Sequence, residues 1–481
     1  MMRSLYSGVS GLRVHQTKMD VIGNNIANVN TVGFKSSSVN FSDVYYQTIQ
    51  SATGPNAATG AGGQNAKQIG LGSSVASIVA SITQTGGSQR TDNPYDVMIT
   101  GNSFFVVNSG GTNYFTKAGA FGIDGNGTLT TSSGATVMGW QVDPNDNTKT
   151  VASQVSPLNI MAPENLYSAP EATTNAYIKG NIDYKDTQLA ATASGRIVSF
   201  DFYDNLGQKY TASLKINQTA TDTNVYNVTV SDITDVNGNS IFVTKKDDGT
   251  YEKSAIDSFS FGGVTYSTAV DSVTGKVTLT GTASVLHFNG SSGEFEGVGN
   301  SATATGKGLD LKVEADPDPF KNVNIDFSSL TMFESDGKSN TEGKRGSIID
   351  GAVSDIGSGR QAGTLTGIGI DTSGKIYGKY DNGDSKLLGQ IAVASFSNPA
   401  GLESIGGNMF AETQNSGSFD GVGHDVTSDG GSLTTGVLEM SNVDLSAQFT
   451  DMITTQRGFQ ANSRIITTSD TLLEELINLK R

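Results

Sequence analysis

The sequence predicts a mainly β chain with an α-helix at each end and β domains nested between the helices. Near both ends, apolar residues recur every seven positions, which is typical of helices that pair as a coiled coil. Gly is frequent, at 59 of 481 residues, while Pro is rare at 9, and this composition favours short strands joined by tight turns. In the middle of the chain, apolar and polar residues alternate strictly, which is the period of a half-buried strand.

The N-terminal repeat predicts a helix from about Ser4 to Asn28. Its apolar stripe consists of Leu5, Leu12, Met19, Ile22, Ile26 and Val29. The Asn-rich run that follows, up to Gly33, favours a helix stop and a sharp change of direction. Residues 51–72 contain almost no large apolar group, so we expect a linker or a long exposed loop there.

The C-terminal repeat predicts a second helix that runs to the end of the chain. Its stripe consists of Leu438, Leu445, Met452, Phe459, Ile466 and Leu473. A strict seven-residue repeat keeps one stripe facing a partner helix, so we expect the two ends to meet in a coiled coil that forms an assembly interface. For any single helix, simple packing of an amphipathic face onto a β domain stays open as the alternative.

Strand signals fill the region between the ends. The segment from Asp96 to Val107 predicts a pair of strands with its bend at Gly101 and Asn102. The segment from Phe121 to Leu129 predicts a hairpin. Asn382 followed by Gly383, between two strand-like segments, is the strongest hairpin signal in the chain because this dipeptide suits a tight primed turn.

A third block, residues 168–344, predicts an inserted all-β domain of sandwich or barrel type. Its alternating apolar residues are Val198, Phe200 and Phe202, answered across a turn at 204–207 by Tyr210, Ala212, Leu214 and Ile216. The predicted organisation is an N-terminal helix and linker (1–72) that forms an inner core with the C-terminal coiled-coil helix (431–481), a split β domain (73–167 and 345–430), and the inserted domain (168–344).

Composition and motifs argue against several classes of function. Lys and Arg total 31 against 47 Asp and Glu, and a net charge of -16 disfavours binding to nucleic acid or an anionic membrane. The chain has no Cys, which removes disulfides, thiolate metal sites and cysteine nucleophiles. We also expect no membrane span and no cleaved signal peptide, because the sequence contains neither a long apolar stretch nor a signal-like N-terminus.

The search for chemical motifs predicts no catalytic, cofactor or metal site. The three histidines lie in three different regions, and none has a partner at the short spacing of zinc motifs. Asp235, Asn237 and Asn239 imitate the start of a calcium loop, but Ser240 and Lys246 stand where that loop needs Gly and Glu, so we expect a polar turn. The Asp-Pro repeat at 316–319 predicts a stiff extended connector.

Two terminal segments carry specific motifs: Leu5 to Lys35, around ANVNTVGFK, and Ser441 to Arg481, around QRGFQAN. The motif residues are Asn24, Asn25, Asn28, Asn30, Thr31, Gly33, Phe34, Lys35, Gln456, Arg457, Gln460 and Asn462. With these motifs, both ends of the chain resemble the terminal signatures of the flagellar rod and hook axial protein family. Segments of the middle region, such as IVSFDFYDNLGQKYTASLKI, resemble the inserted domain of the hook members, and the resemblance is weakest at 217–321.

The resemblance implies a structural protein, not an enzyme, that needs no cofactor and self-assembles into the curved hook, a universal joint that transmits torque from rod to filament. It implies an extracellular place in the bacterial flagellum after export without a cleaved signal peptide. The implied partners are many copies of the chain itself, rod and hook-filament junction proteins, the hook cap and the export apparatus. A distal rod or junction component is the alternative within the family, and a secreted β-rich adhesin or glycan-binding enzyme is the alternative outside it.

Overall fold

The computed structural model of the protein describes residues 2–55, 60, 62–143, 146–220, 222–256, 258–299, 306–315, 319–349 and 351–479. The prediction of a mainly β chain with a helix at each end is confirmed: α1 spans Met2–Ala27 and α2 spans Leu445–Asn478. Over the described residues, neither helix is long and apolar enough to cross a membrane. The chain divides into two compact units, the first formed by 1–166, 366–379 and 385–481 and the second by 167–365 and 380–384.

The first unit begins with α1 and a series of short strands. These strands are β1 Ser37–Asp43, β2 Tyr46–Gln50, β3 Lys67–Gly70, β4 Ser73–Ala80, β5 Ser88–Arg90, β6 Val97–Thr100, β7 Phe104–Ser109, β8 Thr112–Thr116, β9 Phe121–Ile123, β10 Leu129–Thr131, β11 Thr136–Trp140, β12 Val142–Asp143, β13 Asp146–Thr150 and β14 Ser156–Pro157.

The second unit follows with longer strands. These are β15 Tyr167–Ser168, β16 Asn175–Asn181, β17 Arg196–Tyr203, β18 Lys209–Gln218, β19 Val225–Thr234, β20 Val243–Lys245, β21 Tyr251–Lys253, β22 Ser258–Phe261, β23 Val264–Val270, β24 Val277–Thr280, β25 Ser284–Phe288, β26 Phe295–Gly299, β27 Gly308–Glu314, β28 Val323–Thr331, β29 Asn340–Arg345, β30 Ser347–Ile349 and β31 Ala352–Ser354.

The chain then completes the first unit. Its remaining strands are β32 Gly363–Ile370, β33 Lys375–Tyr380, β34 Ser385–Ile391, β35 Val393–Ala394, β36 Glu403–Gly406, β37 Met409–Ala411, β38 Ser432–Thr435 and β39 Val437–Glu439. Short 3-10 helices lie at Pro163–Asn165, Thr187–Leu189, Pro399–Gly401 and Val426–Asp429.

The core of the first unit lies on both faces of its largest sheet, in which the strand order runs β33, β34, β11, β7, β8, β37, β36. Successive residues of a strand point to opposite faces. Phe105 and Val107 of β7 therefore join one buried cluster, while Phe104 and Val106 join another on the opposite face. This explains why β7 is apolar at four successive positions and does not alternate.

The second unit is built from a seven-stranded sheet in the order β24, β23, β22, β27, β28, β16, β29 and a five-stranded sheet in the order β17, β18, β19, β25, β26. Residues from both sheets share one aromatic-rich core. The predicted alternation is confirmed, because Val198, Phe200 and Phe202 are buried on β17 and the adjacent β18 buries its own alternating set.

Two further local predictions are confirmed. The segment from Phe121 to Leu129 forms the hairpin of β9 and β10, and the turn at Asn382 and Gly383 joins the antiparallel pair β33 and β34. The polar turn at Asp235 is also present, because its carboxylate accepts the backbone N–H groups of Asn237 and Asn239 at 2.9 and 2.8 Å. The predicted connector at 316–319 lies largely outside the described residues, which omit 316–318.

Other predictions were wrong in part. The strands of the segment from Asp96 to Val107 exist as β6 and β7, but β6 pairs with β38 and β7 pairs with β8, β11 and β35. Both strands are buried on their two faces, so each takes partners inside the unit and they do not close on each other as a hairpin.

Two boundaries also differ from the prediction. Leu438 lies on β39 and not on the final helix, because Asp444 caps α2: its carboxylate accepts the N–H groups of Ser446 and Ala447 at 2.9 and 3.2 Å. Where residues 51–72 are described, they are mostly exposed, as predicted for a loop, but their last part forms β3, which pairs with β2. Backbone pairing of this kind needs no apolar side chains.

Candidate assembly interface

The two terminal helices pair antiparallel within the first unit. A Cβ atom added at Gly8 would lie 3.3 Å from Ile466 Cγ1, near the start of α1. Near the end of α1, the Asn25 side-chain amide donates to Gln448 Oε1 at 3.1 Å. As α1 proceeds from Gly8 to Asn25, its partner positions on α2 therefore run backwards.

Small residues let the helices approach closely. A Cβ atom added at Gly11 would lie 2.5 Å from Asn462 Nδ2, and one added at Gly458 would lie 2.7 Å from His15 Nε2. Neither position has room for a methyl group without movement of the facing side chain. The contact between the helices of one chain therefore combines glycines with polar side chains such as Asn462 and apolar side chains such as Ile466.

Polar contacts of different strength hold the second half of α1 in place. Lys18 Nζ lies 3.2 Å from Asp451 Oδ1, but both groups are partly exposed, so the ion pair contributes little. Asn25 is buried, and its amide donates to Ser37 O at 2.8 Å while its Oδ1 accepts from Ser37 N at 3.0 Å. This reciprocal pair attaches the end of α1 to β1.

His15 lies between the helix pair and the first strand. Its ring meets Phe41 of β1 edge to face, with 6.2 Å between the ring centroids. Burial, with a smaller contribution from the charge of Lys18, lowers the pKa of His15 below 6.5, which favours the neutral ring at neutral pH. His15 is therefore a packing residue of the helix pair.

The predicted stripe is only partly covered in one chain. Ile22 is buried and Leu445 is exposed. The other stripe residues are half-buried: Leu5, Leu12, Met19, Ile26, Met452, Phe459, Ile466 and Leu473. The role of this stripe as an interface between copies stays a prediction.

Several apolar side chains of α2, and that of Leu479 directly after it, are at least partly exposed. They are Leu445, Phe449, Ile453, Ile465, Leu472, Leu476, Ile477 and Leu479. Adjoining exposed apolar side chains are typical of protein–protein contact sites, so an interface here stays a prediction.

After α1, the Asn-rich motif makes the predicted turn. The Asn28 amide donates to Asn24 O at 2.9 Å, and Thr31 Oγ1 donates to Asn28 Oδ1 at 3.1 Å. Phe34 N donates back to Thr31 O at 3.2 Å, while Asn30 is exposed. These local side-chain bonds compete with the helix and end it.

Gly33 is fixed by its neighbours on both sides. Its φ is +70°, in the left-handed region that favours glycine. Its N–H donates to Glu439 O at 2.8 Å, and an added Cβ would lie 2.7 Å from Ala118 N. The backbone at Gly33 is therefore held between β39 and the segment after β8.

A buried ion pair lies beside Gly33. Lys35 Nζ is 2.7 Å from Glu439 Oε1, and these residues are 5% and 1% exposed. Lys35 Nζ also donates to Gln84 O at 2.7 Å, and Gly86 N donates to Glu439 Oε1 at 3.0 Å. The ammonium and Glu439 Oε1 are hydrogen-bonded, whereas Glu439 Oε2 is buried without a hydrogen-bond partner among the described residues.

A second lysine lies close to this pair. Lys117 is buried, its Nζ donates to Gly101 O at 2.6 Å, and it lies 5.1 Å from the Phe104 ring centroid. Burial lowers the pKa of Lys117 to about 8, with Glu439 opposing that shift and Lys35 adding to it. We call Gly33, Lys35, Lys117 and Glu439 the buried joint.

Asn442 completes the connection between the two ends. Its Oδ1 accepts from Ser36 N at 2.7 Å, and its amide donates to Ser81 O at 2.9 Å. The segment just after α1 is thus tied to the segment just before α2.

The C-terminal motif residues lie on α2. Gln456, Arg457 and Gln460 are exposed, and Arg457 Nη1 donates to Gln460 Oε1 at 3.3 Å. Asn462 is half-buried against Gly11. The structure thus places this motif on the helix pair and the N-terminal motif in the turn and the buried joint.

Sequence reasoning missed Glu439, Asn442 and Asp444. Asp444 carried a usable signal, since an Asp directly before an apolar-periodic segment is a helix N-cap. Glu439 and Asn442 carried none, because a single sequence does not reveal a pairing across some four hundred residues. Among the described residues, no group of three or more His, Asp or Glu side chains could hold a metal ion.

Comparisons with known proteins agree with the terminal motifs and extend between them. Residues 5–35 match the family described as flagella basal body rod protein, and residues 434–479 match the flagellar basal body rod FlgEFG protein C-terminal family. Residues 98–179 match the flagellar hook protein FlgE/F/G D1 domain.

Full-length relatives identify the family more narrowly. The chain is 36% identical to the flagellar hook protein FlgE of Treponema pallidum and 36% identical to that of Borreliella burgdorferi, in each case over 100% of both chains. It is 28% identical to the flagellar basal-body rod protein FlgG of Bacillus subtilis, again over 100% of both chains. The match to the hook protein D1 domain and the 36% identity to hook proteins over the entire length show that the chain belongs to the flagellar hook protein family.

Proposed function

We propose that this structural component of the flagellar hook polymerises through its terminal helices into a curved tube that acts as a universal joint. The observation that carries the proposal is the helix pair itself. It is tied to the β body by the buried joint, and it leaves apolar side chains such as Phe449 and Ile453 open. A lone chain gains nothing from such exposure, whereas copies that bury these side chains against one another gain about 25 cal/mol for each Å² of apolar surface.

The proposed arrangement is nested. The helices, with residues 1–72 and 431–481, form an inner core that lines an axial channel, the split domain of 73–167 and 345–430 forms a middle layer, and the inserted domain of 168–344 forms an outer layer. The second compact unit, 167–365, supports an inserted domain of this extent. Its separate aromatic core supports folding of that domain by itself.

The proposed inner core is a coiled coil formed between copies. Within one chain the helices approach through Gly8, Gly11 and Gly458, where Ile466 of the stripe packs against Gly8. Most of the other stripe residues are only half-buried, so they keep apolar surface for a second contact. Half-buried stripe residues such as Leu12 and Phe459 remain able to fill holes on neighbouring helices. Register-specific packing of this kind would carry torque, while polar Gly-rich β surfaces would slide during bending.

The proposed partners follow from a place in the hook. They are rod proteins at one end, hook-filament junction proteins at the other, and the hook cap and export apparatus during assembly. We propose export without a cleaved signal peptide to the extracellular hook. A rod component is the second candidate, and the relationship to the Bacillus subtilis rod protein favours it. Immunogold labelling of purified hook-basal bodies distinguishes a label on the hook from one on the rod.

Polymerisation of the purified chain tests the main proposal. Leu12→Asp or Phe459→Asp places a charge in the stripe, and we expect either variant to stay monomeric by sedimentation and electron microscopy. Near-ultraviolet circular dichroism should show that the β units remain folded. Leu206→Asp, the same kind of substitution at a 69% exposed position of the second unit, is the matched control and should polymerise. Polymers of normal length from the two stripe variants would contradict the proposal.

A further inference from the structure

The last turns of α2 extend past the start of α1. Gly8 faces Ile466, so in an antiparallel pair Met2 lies opposite about Leu472. The helix continues to Asn478, and this overhang has no partner helix within its own chain. Ile477 and Leu479, at 68% and 83% exposed, are therefore open to solvent.

The overhang is acidic as well as apolar. Beyond Leu472 the helix carries two carboxylates, Glu474 and Glu475, and no basic residue up to Asn478. Both carboxylate side chains are exposed. Lys480 and Arg481 follow outside the described residues and are unchanged in every variant below.

A groove of complementary character lies between α1 and the start of β4. It encloses about 480 Å³ and is lined chiefly by Tyr6, Val9, Arg13, Val14, Thr17 and Val75. Tyr6 is 67% exposed and Val9 is also open, so the groove presents apolar side chains to solvent. The α1 residues at 6, 9, 13 and 17 recur at helical spacing and share one face.

The groove has one charged lining residue, Arg13. Arg3 lies earlier on α1, outside the lining, and the first acidic residue of the helix is Asp20. Both arginines are exposed, and neither forms an ion pair with another residue that the structure describes. An acidic apolar helix end and a basic apolar groove are thus present on the same chain at two separate places.

The overhang does not reach the groove of its own chain. α2 runs antiparallel to α1, so beyond Leu472 it leads away from Tyr6 and Arg13 and past the first residue of α1. If the overhang fills the groove, it must therefore be the overhang of a second copy.

We propose that the C-terminal overhang of α2 in one copy docks into the groove between α1 and β4 of the next copy, with Glu474 and Glu475 beside Arg13. The interface joins two different surfaces of the same chain, so each docked copy presents a fresh overhang for another. Such a heterologous contact repeats without closing and generates a helical polymer when the rotation between copies does not close a ring. The inference rests on the proposed function and specifies one contact within it.

Charge reversal tests the pairing. We expect Arg13→Glu, or Glu474→Arg with Glu475→Arg, to raise the critical concentration for polymerisation by about tenfold or more, as a weakened interfacial charge contact should. The triple variant, which swaps the charges in one chain, should polymerise close to the wild-type concentration. Arg90→Glu, an equal charge change on an exposed side chain outside the groove, should have no effect.

Site-directed cross-linking tests the contact directly, since the chain has no Cys of its own. Val9→Cys and Ile477→Cys chains, mixed and oxidised after polymerisation, should form heterodimeric disulfides. Val9→Cys mixed with Val273→Cys, another exposed position, should not. The docking would be overturned if Arg13→Glu polymerised at the critical concentration of the wild type, or if intact polymer formed no disulfide between positions 9 and 477. Either result would leave polymerisation through the stripe unaffected. Failure of the wild-type chain to polymerise at all would instead contradict the proposed function.

Discussion

Lys35 and Glu439 are separated by 404 residues in the sequence and by 2.7 Å between Nζ and Oε1. Both side chains are almost completely removed from solvent. The carboxylate also accepts from Gly86 N, and the ammonium also donates to Gln84 O. A buried pair of this kind specifies geometry more than it adds stability, because the desolvation of both charges offsets much of their attraction.

Removal of one partner of this pair should be costly. Lys35→Met leaves the Glu439 carboxylate without its cation, and Glu439→Gln leaves a buried ammonium, so each should lower the free energy of unfolding by about 3–5 kcal/mol. Urea denaturation of the purified monomer provides the measurement. The double variant Lys35→Met with Glu439→Gln retains no charge in the pair and keeps an acceptor for Gly86 N. It should recover most of the loss, and a double variant as unstable as the two losses added together would contradict this account.

Gly33 should not tolerate a side chain. Gly33→Ala puts an alanine in the left-handed backbone conformation, and its new Cβ would also lie 2.7 Å from the backbone nitrogen of Ala118. Gly110, with φ of +62° and no atom within 4 Å of an added Cβ, is the matched control that carries backbone strain alone. We expect Gly110→Ala to cost about 1–2 kcal/mol and Gly33→Ala clearly more. Equal losses in thermal unfolding would show that the contact with Ala118 is unimportant.

The close approach of the two helices predicts opposite effects for two glycines of α1. Gly11→Ala places a methyl group 2.5 Å from Asn462 Nδ2, whereas Gly23→Ala meets nothing within 4 Å. Gly11→Ala should push the helices apart and weaken polymerisation. Gly23→Ala should polymerise normally and stabilise the helix by up to about 1 kcal/mol, the difference in helix propensity. Helical content by circular dichroism and pelleting assays separate the two results, and a normal Gly11→Ala polymer would argue against the glycine contact.

Lys117 predicts an alkaline pH dependence. Its pKa falls from 10.5 to about 8 in the folded chain, so between these values the unfolded chain binds more protons than the folded one. The contribution of Lys117 to stability should therefore increase as the pH rises from about 8 to about 10.5. Lys117→Met should flatten the pH profile of the unfolding free energy over this range. An unchanged profile in Lys117→Met would contradict the assignment.

Asp183 predicts an acid dependence in the second unit. Burial alone would raise its pKa, but hydrogen bonds from Lys185 N, Ser335 N, Gly337 N and the Ser335 hydroxyl outweigh burial and lower the pKa below 3.8. The unfolded chain thus binds the proton first as the pH falls, and the stabilisation is lost as the pH drops through the folded pKa. Asp183→Asn should be less stable at pH 7 and should lose less stability on acidification.

A control for the acid prediction exists in the same unit. Asp222 lies in an exposed turn, where its carboxylate accepts from Asn224 N, so Asp222→Asn serves as the comparison variant outside the cluster around Asp183. Protease resistance of the loop at 333–339 provides a local measurement. Equal acid sensitivity of wild type and Asp183→Asn would contradict the role given to Asp183.

Local pattern was enough to predict the helices, the hairpin at Asn382 and Gly383, and the alternation of β17 and β18. In each case the signal lies within a few residues and has one physical cause, such as the positive φ of a glycine or the two-residue period of a strand. The partners of β6 and β7 were not predictable in this way. Both strands are apolar on two faces, and which strand lies beside them depends on residues as distant as Ser432–Thr435.

The candidate interface was predicted only in outline. The heptad spacing placed a helix at each end, but it did not reveal that Gly8, Gly11 and Gly458 form the contact within one chain. From the sequence alone, glycine indicates a weak helix former. In this helix pair, the lack of a side chain lets the two helices approach closely. The buried joint could not be predicted from the sequence, because the partner of Lys35 is the carboxylate of Glu439, 404 residues further along the chain.

The buried joint connects residues from the two ends of the sequence. Gly33 and Lys35 belong to the first tenth of the chain, and Glu439 belongs to the last. A polypeptide that emerges from a narrow passage end first holds only one half of this contact until its final segment arrives, and a loop of this length closes late because its closure entropy must be overcome first. A chain that ends before Glu439 therefore lacks both the buried joint and the paired helices.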